Sequence, residues 1–529
     1  MNTTAALLFI VFISATLVIT WWAGKRNTSV ESHLVAEGRI SGKRNGLAIA
    51  GDLVSAATFL GTTAAIAFSG FNGYYYAIFI PMAFLLALLL VAEPLRNLGR
   101  FTLGDVVATR FPSNNVRGTI GISAVVVSIL YVVAQFVGAA LLVQLLFGID
   151  YLWAAIIIAV LTTIYTLFGG MIATTYIQIV QTILLLIAGA LLIVLVLSNF
   201  KFNPMGVFAS IKELDTTFGP KNSPDAGLLK PVRAGLAEQW EQFSLIFGVT
   251  LGVLGLPHIL VRFLTVPSAK EARSSAVTSI WIFSAFLIFM PILSFGAVHF
   301  YGGRAGLMKE VGNPNLTVTA LGKHLGGDTL LAFVAAVTFL VILSSLAGLI
   351  IATSGAISHD LYANVLKKGQ VDPKKQLTVA RIATFVSAAI ATLIALVAQN
   401  YNVAFLATLA IAVAASAMLP ALLLTMYWRK TTGIGVAVGM VFGLLTALAV
   451  ILQSPIFRGE NAFIPISSPA VISLPVGFIV MIVVSLLTQP KGEEARKADA
   501  IFDRIRIKMV TRVDPGDATT QDESVRIKA

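Results

Sequence analysis

The sequence predicts an all-α polytopic membrane protein with thirteen transmembrane helices. Three observations predict it. The chain is far too apolar for a soluble core, its apolar runs are long enough to cross a bilayer, and its positive charges sit in short clusters between those runs.

Of 529 residues, 57% are hydrophobic and 12% charged, about half the charged fraction of soluble domains. Lipid is therefore the natural solvent. The net charge of +12 would suit nucleic acid if it formed a patch, but it is split among connections, so no nucleic-acid partner is expected. The chain has no cysteine, which excludes disulfides, thiolate metal sites and thiol nucleophiles.

A spanning helix needs about 20 apolar residues. Thirteen runs meet this: 4–22, 46–70, 75–95, 118–147, 151–169, 174–198, 240–264, 276–300, 328–358, 377–399, 403–427, 433–453 and 468–488, here spans 1 to 13. Span 1 has no positive charge before it, while Lys25 and Arg26 follow it, which favours a retained span over a cleaved signal. With the N-terminus outside, 28 of the 37 Lys and Arg fall on inside segments and 9 on outside segments. The positive-inside rule thus predicts a cell-membrane protein with its N-terminus outside and its C-terminus in the cytoplasm. The transporter domain would cover 1–488, and 489–529 would be a cytoplasmic tail. Within the tail, 493–513 reads as a basic amphipathic helix lying on the inner leaflet, with Ile501, Phe502, Ile505 and Met509 on one face, and 514–529 as disordered. Two outside connections, 201–238 and 301–327, read as a lid or as solvated linker.

Spans 2 and 7 both carry helix-interrupting residues. Span 2 holds Gly51 and Gly61, and span 7 holds Gly248, Gly252, Gly255 and Pro257. The spans lie five apart, the pattern expected of two inverted five-helix units, about 46–198 and 240–427. Unwound backbone at membrane depth exposes carbonyls and amides that need partners, and a bound ion or a carboxylate can supply them. The competing reading is that each Gly serves close helix packing.

Gly148, Tyr151, the apolar stretch Ala155–Leu161, Tyr165-Thr166, Gly169-Gly170-Met171 and Ala173 together resemble the signature of the sodium:solute symporter family. Asn45–Gly61, Gly255–Arg273, Ser358–Val365 and Leu130–Ala140 are similar to its branch of cation/acetate and short monocarboxylate permeases. The resemblance implies a LeuT-type fold with spans 2–6 and 7–11 as 5+5 inverted repeats and spans 1, 12 and 13 as additions. It also implies a Na⁺ cage between spans 2 and 9, from the carbonyls of Gly51, Val54 and Val341 and the hydroxyls of Ser344 and Ser345. Hard neutral oxygens suit such an ion. A serine pair that merely back-bonds within its helix is the other reading.

Asp52 lies mid-span, where a carboxylate is costly and so a functional candidate. It would carry a proton, tune the cation site or make a structural hydrogen bond. It stands one residue before the acidic position of proline-carrying members, where this chain has Leu53. Thr58, Thr62, Tyr131 and Gln135 are the expected substrate contacts, the last two sharing one face of span 4. Interhelical glue is the alternative for this pair. Arg262 reads as an inner-gate or snorkelling residue, and His258 as structural. Gln178 and Gln181 read as glue, and Glu93 and Asp105 as ion-pair partners near Arg96 and Arg100.

The expected function is a secondary symporter importing a small monocarboxylate of the acetate, propionate or pyruvate type. Na⁺ is the coupling ion, with H⁺ the alternative, and no organic cofactor is implied. Another solute of the family (proline, a sugar, pantothenate) or a transporter-like sensor remains open. An enzyme is not expected, because no nucleophile–base or HExxH cluster occurs, and no G-x4-GK[ST] loop supports ATP-driven pumping.

Overall fold

The computed structural model describes residues 3–24, 30–218, 228–229 and 235–512. The disordered end expected at 514–529 lies outside them. Every regular element among the described residues is helical. Eight helices are long and apolar enough to cross a bilayer, or ten when two bent pairs each count as one span. Helices also occupy the other three predicted runs: Thr3–Gly24, Tyr151–Leu167 and Leu236–Gly252.

Local chemistry sets where the spans begin and turn. Ser113, Ser268, Asp372, Asn402 and Thr432 cap the first turns of spans 4, 8, 10, 11 and 12, each side chain accepting a backbone N–H that the helix leaves unpaired. Spans 5 and 6 meet at Gly170, whose φ of 59° is open to glycine and strained for a side chain.

Spans 2 and 7 are broken. Span 2 runs as Gly42–Leu53, leaves helical geometry at Val54 and Ser55, and resumes through a π-helical turn, Ala57–Thr62, into Thr63–Ser69. The two halves meet at 50°. Span 7 runs as Leu236–Gly252, tightens to a 3₁₀ turn at Val253–Gly255, and restarts at Pro257–Arg262 after the extended Leu256. Pro257 holds the first helical positions, where its missing N–H costs nothing.

In span 2 the glycines lie on either side of the break. Gly51 is helical, and a methyl on it would overlap the Thr182 hydroxyl of span 6 at 2.0 Å. Gly61 lies in the π turn, where a methyl would stand 2.2 Å from the Ala404 backbone nitrogen of span 11. Both readings of the glycines therefore hold: the spans are interrupted, and the glycines let neighbours approach.

Both long connections carry helix, Pro204–Phe218 in one and Arg304–Val311 with Pro314–Leu316 in the other. The second is docked, since Asn315 bonds Tyr401 O at 3.1 Å and accepts from Val403 N at 3.0 Å at the start of span 11.

The tail departs from expectation. Glu493–Thr511 is helical, but Phe502, Ile505 and Met509 are buried against the protein itself, and Ile501 is exposed. The helix packs on the C-terminal end of span 3 through Asn97, which donates to Met509 O at 2.7 Å. Amphipathicity specifies an apolar partner and cannot say whether it is lipid or protein.

Gly61→Ala is expected to lower the thermal stability of the purified protein, because the nearest obstacle is backbone. Overpacking of this kind costs about 1–3 kcal/mol. A melting curve in detergent checks it, and an unchanged midpoint would show that spans 2 and 11 can separate without cost.

Candidate substrate and ion site at the broken helices

The break in span 2 frees backbone groups at membrane depth, and its neighbours satisfy them. Gln135 on span 4 accepts from Ala56 N at 3.2 Å and donates to the Ser55 hydroxyl at 3.1 Å. Ser345 on span 9 donates to Asp52 O at 3.2 Å, bringing span 9 against the same break. Thr58 donates to Leu53 O at 2.6 Å and Thr62 to Ala57 O at 3.3 Å, both five residues back, as π geometry requires. Ser344 donates to Val341 O at 3.0 Å within span 9.

Gln135, Tyr131, Ser345 and Asp52 thus meet at one place. The Tyr131 ring lies 5.1 Å from that of His258 on the restarted half of span 7. Nδ1 of His258 has no hydrogen-bond partner. Thr58, Thr62, Tyr131 and Gln135 are all buried, as are Ser344 and Ser345. The centre is closed over in this state.

Arg262 is fully buried. One guanidinium nitrogen donates to Thr175 Oγ1 at 2.8 Å and another to Gln178 Oε1, both on span 6. Its carbonyl accepts from Asn45 Nδ2 at 2.9 Å and Thr265 Oγ1 at 2.7 Å, and Asn45 also donates to Ser275 on span 8 at 3.1 Å. Spans 2, 6, 7 and 8 are therefore tied together below the breaks, and Arg262 is no snorkelling residue. Asp52 faces it across Gly348: a methyl there would lie 3.6 Å from both the Arg262 guanidinium and Asp52 Oδ2. Neither carboxylate oxygen of Asp52 makes a hydrogen bond.

A cavity of about 320 Å³ opens at the other ends of these spans, lined by Ser69, Asn72, Tyr76, Glu238, Glu241, Gln242 and Phe405. None of the predicted substrate residues lines it, and it is called the vestibule below. Glu241 accepts from Ser468 N at 3.1 and 3.0 Å, anchoring the start of span 7 to the approach to span 13.

At the opposite face, Ser358–Val365 supplies a second polar cluster. Asp105 accepts from Arg117 and His359, each at 3.1 Å, and from Phe101 N at 2.9 Å. Thr102 donates to Asp360 at 2.9 Å. The Asp105, His359 and Asp360 ligand atoms lie within 4.8 Å of one another, but Arg117 already occupies the charge balance a cation would need. Burial would raise the Asp105 carboxyl, but His359, the Phe101 N–H and Arg117 hold it down to about 2. Glu93 pairs with Arg273, and Arg96 donates to Val266 O. The acids near Arg96 and Arg100 do form ion pairs, with partners from other segments.

The model of the sodium:solute symporter family matches residues 33–443. The chain belongs to that family. An uncharacterized symporter, YwcA, of Bacillus subtilis (strain 168) is 40% identical over 488 residues, covering 90% of this chain and 93% of the relative. A Na⁺-coupled sialic acid symporter in a substrate-bound outward-open state shares the fold with a TM-score of 0.72 at 16% identity, over 93% of this chain and 99% of that one. A nucleobase-cation-symport-1 family transporter, closed with bromovinylhydantoin bound, matches at 0.52 and 14% identity, over 90% and 99%. This chain is a multi-pass membrane transporter.

The Arg262 network and the Asp105 cluster were not assembled from sequence. A lone Arg at membrane depth does demand partners, and Gln178 in an otherwise apolar run is the signal that could have supplied one.

Asp105→Asn is expected to destabilise the protein at pH 7 by on the order of 2 kcal/mol, from the carboxyl's drop from 3.8 to about 2. The stabilisation is present above about pH 4 and lost as pH falls towards 2, so the gap between variant and parent should close over that window. Melting midpoints at pH 7, 4 and 2 check this, and a gap independent of pH would refute it.

Proposed function

We propose that this chain is a secondary symporter that imports a small monocarboxylate, of the acetate, propionate or pyruvate type, driven by Na⁺ through alternating access. Thirteen spans, with 2–6 and 7–11 as inverted repeats and the N-terminus outside, frame this reading. The observation that carries it is the juxtaposition of the broken span 2 with the serine pair of span 9, Ser345 reaching Asp52 O at 3.2 Å. A broken helix beside two hydroxyls offers hard, neutral oxygens for Na⁺: the carbonyls of Gly51, Val54 and Val341 and the hydroxyls of Ser344 and Ser345.

For the solute, Tyr131, Gln135, Thr58 and Thr62 supply polar groups without a fixed charge. Gln135 now serves Ala56 N–H, at a long 3.2 Å. A carboxylate could take that N–H and release the amide, so the substrate would replace an internal partner at the break. The paired breaks of spans 2 and 7 and the similarity to monocarboxylate permeases support this placement. One observation favours a second coupling ion: the buried Asp52 carboxylate without a hydrogen-bond partner suits a proton carrier.

Uptake into proteoliposomes at fixed pH and potential should require Na⁺. Ser344→Ala with Ser345→Ala should raise the half-saturating Na⁺ concentration by roughly ten- to hundredfold per lost contact. Uptake indifferent to Na⁺ would overturn sodium coupling in favour of H⁺. Na⁺-dependent uptake with the same half-saturation in the double variant would place the ion elsewhere.

Excess acetate, propionate or pyruvate should compete with uptake of the labelled solute, and Gln135→Ala should raise the KM at normal membrane levels. Failure of all three acids to compete, with a sugar, proline or pantothenate succeeding, would move the substrate to another class of the family.

A further inference from the structure

The C-terminal helix Glu493–Thr511 touches both sides of the inner seal. Asn97 at the end of span 3 donates to Met509 O at 2.7 Å, and Arg512 donates to Pro267 O, in the connection just after Arg262, at 2.7 Å. On the other side, Phe502 lies under two guanidinium groups, Arg110 at 4.5 Å and Arg429 at 5.2 Å. Arg429 pairs with Asp499 at 3.3 Å and with Asp503.

Arg110 is itself built into the end of span 11. It donates to Thr425 O at 2.7 Å, Trp428 O at 2.9 Å and Thr431 O at 3.2 Å, and so takes up carbonyls the helix end leaves unpaired. The tail helix therefore has one footing on spans 3 and 7 and another on span 11. Three of its apolar side chains, Phe502, Ile505 and Met509, are no more than 6% exposed.

Opening a path to the inner face requires the restarted half of span 7 to leave its partners, since Arg262 is what joins it to span 6. That movement carries Pro267 with it, and the tail helix holds Pro267 at a fixed place relative to the end of span 11. From this geometry we propose that the C-terminal helix is a strap that keeps the inner face closed and slows its opening. The proposal rests on the alternating-access reading above. The footings differ in strength. The apolar contact is buried, whereas the Arg429 ion pairs are about half exposed, and such surface pairs contribute little and weaken with salt. At the span 11 end the hold therefore falls mainly to Phe502.

The native chain has no cysteine, so engineered thiols report cleanly. The reporter is Val261→Cys, on the inner half of span 7 and 6% exposed, reacted with a membrane-impermeant maleimide from the inner face and read site by site by mass spectrometry. Phe502→Asp in the full-length chain should raise the reporter's labelling rate severalfold. The pair Arg429→Cys and Asp503→Cys, oxidised to a disulfide, should lower it below the parent's, and a reductant should restore it. Labelling in Phe502→Asp equal to the parent's would overturn the strap, as would a cross-linked tail that leaves labelling unchanged. The readout needs neither solute nor Na⁺, so its failure falls on the strap alone, whereas Na⁺-indifferent uptake falls on the coupling reading.

Discussion

A helix broken in hydrocarbon must have its loose backbone groups satisfied by protein, because no water reaches them. In this chain that demand is met by Gln135 from span 4 at Ala56 N–H and by Ser345 from span 9 at Asp52 O, with Thr58 turning its own hydroxyl back to Leu53. The positions of three spans follow from these few hydrogen bonds. Polar groups that would be expensive singly are affordable together, since each partners another across the break. The close approach of spans 6 and 11, through Gly51 and Gly61, brings further helices around the same point.

Below the break the logic changes from neutral groups to charge. Arg262 draws on Thr175 and Gln178 with its guanidinium, while its carbonyl serves Asn45 and Thr265. Above the break lies a vestibule with acidic residues on its wall. The two sides of the break are therefore unlike. One holds a cavity, and the other is tied by hydrogen bonds that converge on Arg262.

Much of this was legible in the sequence. The apolar runs located the helices because lipid demands length, and the break in span 2 was visible because Gly, Asp and Thr interrupt an apolar stretch. The signature around Gly148–Ala173 pointed to the family, and Ser345 and Gln135 both bond the broken stretch that follows Gly51. What stayed hidden was partnership. Gln135 and Tyr131 read as a pair facing a solute or as interhelical glue, and the fold ties Gln135 to Ser55, a residue without prominence in the sequence. Gln178 read as glue, and its partner Arg262 is 84 residues away. The tail helix showed its apolar face plainly, but periodicity on one helix cannot name what covers it. Long-range pairing needs three dimensions; local pattern does not carry it.

The π-helical turn at Ala57–Thr62 has a geometric consequence for span 2. One extra residue in a turn rotates everything beyond it by about 100° around the axis relative to an uninterrupted α-helix. The two halves of span 2 therefore point their faces independently. The half with Asp52 is set by span 9, and the half with Thr63 and Ile66 by its own neighbours. Segment length between Ser55 and Thr63, more than residue identity, then fixes which stripe of the outer half meets the vestibule, and a one-residue insertion or deletion there would turn that half like a screw.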